Sequence, residues 1–300
     1  MSLVIIGTFN FDTIETPRAR REMIVGGSGT YCCLAASFFT NPKIVGVVGE
    51  DFPEDTIELF KKKGIDVQGL EIRSGKTFHW EGRYGDDPNK RTTIKTEVNV
   101  LKDYRPQLPV EYKTSDIVFL ANIDPELQDD ILAQVQKPEL IAMDSMNFWI
   151  ESKASSIFKV LEKVDVFFAN DEEVIMLAEE ANIVKAGKKI LERGPSLVII
   201  KKGEHGALLL GKEFTFGVLA YLCEEVIDPT GAGDSFAGGF LGYLDRVKSF
   251  REEEFRKAAV YGSVLASFAI EDFGIDRFKS LSYSEIEKRF IEFKKMVSFL

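Results

Sequence analysis

Residues Ile227–Phe240 read IDPTGAGDSFAGGF. Apolar Val226 and Ile227 suggest the end of a buried strand, and the small and aromatic residues after Asp234 fall in helical rhythm. Strand, glycine-rich turn and helix together make an anion site. The free N–H groups of the first helical turn point outward, and the helix dipole adds partial positive charge there. Gly231, Ala232 and Gly233 let backbone amides approach a phosphate, while Pro229 stiffens the entry and lacks a donor that would be orphaned. A Walker loop is excluded because no G-x-x-x-x-G-K-[ST] string exists, and the closely packed glycines near the C-terminus make a poor dinucleotide fingerprint. Asp234 beside such a hole would repel a resting phosphate. It makes sense when a hydroxyl lies between them and gives its proton to Asp234 as it attacks phosphorus. The competing reading is a first-turn cap.

The bulk numbers fit this. With 300 residues, 45% hydrophobic and 29% charged, the chain suits one large soluble α/β domain. A net charge of −10 gives no electrostatic support for nucleic-acid binding, so any phosphate must be held by local geometry. No apolar run reaches the roughly 18–20 residues that span a bilayer, and the start lacks the flanks of a signal peptide. Cys32, Cys33 and Cys223 are an odd, poorly spaced set, which favours a reduced cytoplasmic protein. His79 and His205 lack zinc-ligand spacing.

Short apolar runs without alternation at 3–6, 44–48, 117–120, 140–143, 166–169 and 197–200 predict strands covered on both faces. Amphipathic stretches at 29–39, 53–63, 125–134, 171–180 and 184–192 predict helices between them, hence a mostly parallel sheet with helices on both faces. Further helices are expected at 235–244, 251–270 and 282–297, the last with a Ser282/Glu285 capping box. Residues 76–101, KTFHWEGRYGDDPNKRTTIKTEVNVL, alternate and turn at 85–89, predicting an antiparallel hairpin that forms a small β flap, or lid, with about 9–16. Exposed His79 and Trp80 are expected on it. One domain over 1–300 is expected.

The string DPTGAGDSFAGGF closely resembles the C-terminal signature of the PfkB/ribokinase family of sugar and nucleoside kinases. GTFNFD (Gly7–Asp12), GGSGTYCCLAASFF (Gly26–Phe39), NDEE (Asn170–Glu173) and KKGEHG (Lys201–Gly206) resemble further family motifs in family order. The resemblance implies a ribokinase-like α/β fold and an ATP-dependent kinase acting on a primary hydroxyl of a sugar or nucleoside. Asp234 would be the base, ionised with a low pKa at its helix N-terminus, and Gly231, Ala232 and Gly233 the anion hole. Asn170 and Glu173 would position Mg²⁺ and its waters, unless they merely cap a helix. Lys201, standing where many relatives carry a small hydroxyl residue, would reach a phosphate, the other reading being a snorkelling surface lysine, with Gly203 and Thr230 also at the nucleotide. Asp228 and Thr230, with backbone carbonyls near Ala269, Asp272 and Gly274, resemble a K⁺ site. The other reading of Asp228 is a strand-end acid satisfying loop amides. Asn10, Asp12, Gly26, Gly27 and Asn147 match the substrate end, while Phe148 and Trp149 read as core. Tyr31 departs from the amide expected for free-sugar recognition, and with Phe9, Phe78 and Trp80 it tilts the expectation slightly from a free sugar toward a nucleoside. The resemblance leaves a catalytically degenerate sensor as an alternative, and the flap as the place for a homodimer contact.

Overall fold

The computed structural model describes residues 1–298. Its strands are β1 (Leu3–Ile6), β2 (Asn10–Glu15), β3 (Arg20–Gly26), β4 (Lys43–Gly49), β5 (Asp66–Arg73), β6 (His79–Tyr84) and β7 (Arg91–Glu97). They continue with β8 (Ile117–Leu120), β9 (Leu140–Asp144), β10 (Val166–Asn170), β11 (Leu197–Lys201), β12 (Ala207–Gly211) and β13 (Thr215–Val218). The helices are α1 (Ser28–Ala36), α2 (Glu54–Lys62), α3 (Pro125–Leu132), α4 (Asn147–Leu161) and α5 (Asp171–Ala178). After these come α6 (Ile183–Leu191), α7 (Ala232–Val247), α8 (Glu252–Ala269), α9 (Asp276–Ser280) and α10 (Tyr283–Val297).

A nine-stranded sheet runs in the order β13-β12-β11-β10-β9-β8-β1-β4-β5. All its pairings are parallel except β11–β12 and β12–β13. Alternation along each strand sends side chains to opposite faces. Leu3 and Ile5 join a core with α1, α7, α8 and α10, whereas Val4 and Ile6 join a second core with α3, α4, α5 and α6. Fully burying each such side chain stabilises by about 1.5–3 kcal/mol. Two faces covered this way explain why the central strands read as unbroken apolar runs. Among the described residues no helix is long and apolar enough to cross a membrane.

A second, four-stranded sheet runs β3-β2-β6-β7. β2 lies antiparallel to β3 and parallel to β6, and β6–β7 is the expected hairpin. Ile14, Tyr84 and Phe273 form the apolar patch that seats it on the body.

Four expectations need correction. Residues 226–227 are not a strand; the segment is held instead by Ile227 and Asp228 N–H groups donating to Ile270 O at 2.9 and 3.5 Å. His79 and Trp80 are half-buried rather than free. His79 lies 2.9 Å from both Glu97 and Thr13 through its two ring nitrogens, and Trp80 donates to Thr93 at 3.2 Å. Phe148 is 56% exposed rather than core, because it projects from the first turn of α4 and packs edge-on to its neighbour Trp149. Strands β3, β5, β12 and β13, and helices α4 and α9, were not expected.

Candidate active site

The cleft is built at the C-terminal ends of the parallel strands, where open α/β sheets bind ligands. Three adjacent strands, β9, β10 and β11, end in Asp144, Asn170 and Lys201, with Asn170 and Lys201 in register. Lys201 Nζ donates to Asp144 Oδ2 at 2.6 Å, a pair whose side chains are 16% and 3% exposed. Burying two charges is tolerable only with such close pairing.

Asn170 also caps α5. Its side chain accepts from Glu173 N at 2.8 Å, while Glu173 Oε2 accepts from Asn170 N at 2.7 Å. This capping box leaves one carboxylate oxygen of Glu173 unused, so the cap and a second role coexist. Burial, then the Asp144 charge, pushes the Glu173 carboxyl up to about 7, against the opposing pull of Lys201.

α7 starts at Gly231, whose φ of 76° lies in the left-handed region and where a Cβ would collide with the Tyr31 ring. Only glycine turns the chain there. The first-turn amides have no partner inside the helix by geometry. Asp234 sits in that turn, and a Cβ on Gly233 would stand 3.2 Å from Lys201 Nζ. The low pKa expected of Asp234 is overturned. Enclosure by protein, then Asp144, pushes it up to about 6 despite Lys201 and Arg91. Desolvation here outweighs the helix dipole.

At the other end, Asn10 Nδ2 donates to Asp12 Oδ1 at 2.6 Å on β2. β3 returns to place Gly26 opposite Asn10, and a Cβ on Gly26 would collide with Asp12 Oδ2. Gly27 follows at the entry to α1. Asp12 is 3% exposed, and burial followed by the Asp228 charge pushes it up to about 8. Asn147 opens α4 with its Oδ1 buried and unpartnered among the described residues.

Tyr31 corrects the expectation of a base-stacking ring. It is 1% exposed, its ring faces Gly231, and its hydroxyl has no partner among the described residues. Phe9, also 1% exposed, packs edge-on to Phe60 and likewise offers no face. Asp228 accepts from Thr230 N at 2.9 Å and Gly274 N at 3.1 Å, so both its oxygens already satisfy loop amides. Asp272 lies close enough for its charge to raise the Asp228 pKa. Ala269 ends α8, and the neighbouring Ile270 carbonyl is the one that accepts from the loop. Gly203 opens the turn after β11.

Asp144, Tyr84 and Arg91 were missed as site residues. Asp144 directly follows the apolar run 140–143, but nothing local announced its pairing with Lys201. Tyr84 accepts from Thr230 Oγ1 at 3.2 Å, and Arg91 on β7 lowers the pKa of Asp12, Glu173 and Asp234. Both arrive by tertiary folding of the small sheet.

The pfkB family carbohydrate kinase model matches residues 2–279. The chain belongs to the pfkB family. This kinase is thus a phosphotransferase with an alcohol acceptor, and kinases of its family use ATP. It is 28% identical to a cytidine kinase of Thermococcus kodakarensis, over 84% of this chain and 91% of that one. The structure of Methanocaldococcus jannaschii nucleoside kinase superposes with a TM-score of 0.77 at 20% identity, over 97% of this kinase and 99% of that chain. Fructokinase from Vibrio cholerae, solved with fructose, ADP and calcium, gives 0.79 at 18% identity, over 97% and 99%. These two likenesses establish the ribokinase-like fold.

Proposed function

We propose that this kinase transfers the γ-phosphoryl group of ATP to a primary hydroxyl of a nucleoside. The observation that carries the reading is the placement of Asp234 at the amide-lined start of α7, with the Asp12 pocket on one side and the Lys201, Asn170 and Glu173 ends on the other. Asp234 would take the acceptor proton, and the amides of Gly231, Ala232 and Gly233 would hold the charge on the transferred group. Asn10, Asp12, Gly26, Gly27 and Asn147 would hold the acceptor, with Tyr31 supporting the hole from beneath. Thr230 and Gly203 would border the nucleotide. An intact set of these groups speaks against a degenerate sensor.

Magnesium would neutralise the phosphate oxygens. Among the described residues no three His, Cys, Asp or Glu side chains are arranged to hold an ion. That fits an ion taking most ligands from phosphates and water, with Glu173 reaching it through water. Asp228 with Thr230, Ala269, Asp272 and Gly274 would form a K⁺ site. Equal rates in K⁺ and in tetramethylammonium would leave Asp228 as a loop tie alone.

The nucleoside preference rests on the relatives named as cytidine and nucleoside kinases, since Phe9 and Tyr31 are buried. Kinetics with cytidine, adenosine, inosine, ribose and fructose test it. A nucleoside should give the highest kcat/KM, and a free sugar ahead of every nucleoside would make this a sugar kinase. We further propose one cytoplasmic kinase domain whose segments 9–16 and 76–101 act as the lid, with the lid sheet as a homodimer contact. Sedimentation at micromolar concentration should give a dimer, and a monomer would remove that contact.

A further inference from the structure

Charge in the cleft is unbalanced. Asp144, Glu173 and Asp234 lie about one ammonium, Lys201, which is already paired with Asp144, and Asp12 adds a further acid near Asp234. A triphosphate entering this field adds more negative charge, so further cationic help at the phosphates is required.

The β6–β7 hairpin reaches both sides of the cleft. Tyr84, the last residue of β6 before the turn, meets Thr230, the residue before Gly231, through the 3.2 Å hydrogen bond. At its tip Asn89 Nδ2 donates to Glu204 Oε2 at 2.6 Å. Gly203 has a φ of +53°, and a Cβ there would strike the Asn89 side chain. The turn after β11 is therefore shaped to receive the hairpin tip. Arg91 is the first residue of β7, two residues past Asn89 at the same end of the hairpin. It is the ladder partner of Tyr84, so the two side chains share a face. Tyr84 points from that face toward the start of α7. Among the described residues the Arg91 guanidinium makes no hydrogen bond and no ion pair. Its charge is felt by Asp12 at one end of the cleft, by Glu173 at the other and by Asp234 between them.

We propose that Arg91 is a phosphate-contacting residue of the transfer step, and that docking of the hairpin tip through Asn89 on Gly203 and Glu204 carries it into place. The proposal rests on the kinase reading above. Lys201 is the cation resident in the body of the cleft, and Arg91 is the one delivered by the small sheet. A guanidinium suits the task because its planar fork contacts two phosphoryl oxygens at once and never loses its charge.

The test uses the full chain and four variants: Arg91→Met, Arg91→Lys, Asn89→Ala, and Asn89→Ala combined with Arg91→Met. Each is followed by steady-state kinetics and by calorimetric titration with Mg²⁺ and a non-hydrolysable ATP analogue. Arg91→Met should lower kcat by about 10–10³-fold while the acceptor KM stays within twofold, and should weaken analogue binding at least threefold. Arg91→Lys should recover part of both. Asn89→Ala should reduce kcat/KM for ATP severalfold when Arg91 is present and have no effect when it is absent, because the two act as one unit. Unchanged kcat and unchanged analogue affinity in Arg91→Met would overturn the role of Arg91. An equal effect of Asn89→Ala with and without Arg91 would overturn the delivery. If no acceptor were turned over by the unaltered chain, the kinase reading would fail, yet the calorimetric comparison would still decide whether Arg91 touches the triphosphate.

Discussion

Asp234 is a carboxylate placed where its charge is hard to keep. Enclosure raises its pKa to about 6, with Asp144 adding and Lys201 opposing. A base must be ionised to accept a proton, so kcat/KM should fall as pH drops through about 6. Asp234→Asn should fold normally and lose about 10²–10⁴-fold in kcat, the usual worth of a positioned base. Turnover near that of the unaltered enzyme would end the assignment. Asp144→Asn removes a negative neighbour and releases Lys201, and both changes favour the Asp234 carboxylate. The acidic limb of the pH–rate profile should therefore move to lower pH, and a limb that stays put or moves up would contradict this. The sequence made Asp234 readable because the acid, the hole and the helix are contiguous in IDPTGAGDSFAGGF. Its pKa was not readable, because the groups that set it, Asp144, Lys201 and Arg91, lie far away along the chain.

At the scale of elements, continuous apolar runs marked β1, β8 and β10 well, since strands covered on both faces have no polar side. β5 and β13 went unread because at the sheet edges their residues alternate exposure, and β3 because it begins with Arg20, Arg21 and Glu22. In the proposed function β2 and β3 together make the acceptor end. Gly26→Ala would drive a methyl into the Asp12 carboxylate, and the strands are fixed by their ladder. The expected result is an acceptor KM raised tenfold or more with the ATP KM within about twofold, since a misplaced contact costs on this order. If the ATP KM rose equally, these strands would not be a dedicated acceptor platform.

Across the whole molecule, three cleft acids share one thermodynamic sign. Asp12, Glu173 and Asp234 rise from 3.8, 4.5 and 3.8 to about 8, 7 and 6. A folded state with raised carboxyl pKa values binds protons more tightly than the unfolded chain. Their contribution to stability is fully present below the unfolded values near 4 and is lost as pH rises through 6 to 8. The ligand-free protein should therefore melt at a lower temperature at pH 8 than at pH 6. Mg²⁺ with nucleotide should reduce that difference by supplying positive charge. A melting temperature that climbs from pH 6 to pH 8 would show that other groups dominate.

Helix α1 is buried along all nine of its residues, and it lies against α7 in a shared core. The two are separated by nearly two hundred residues of chain. During synthesis α1 leaves the ribosome early, at residues 28–36, and its cover is not yet made until residue 247 follows. For that interval the nascent polypeptide carries an uncovered apolar helix, the kind of surface that chaperones shield. Fragments ending before α7 are accordingly expected to aggregate, and the chain gains the cover of α1 and the residue proposed as its base, Asp234, in the same late step of manufacture.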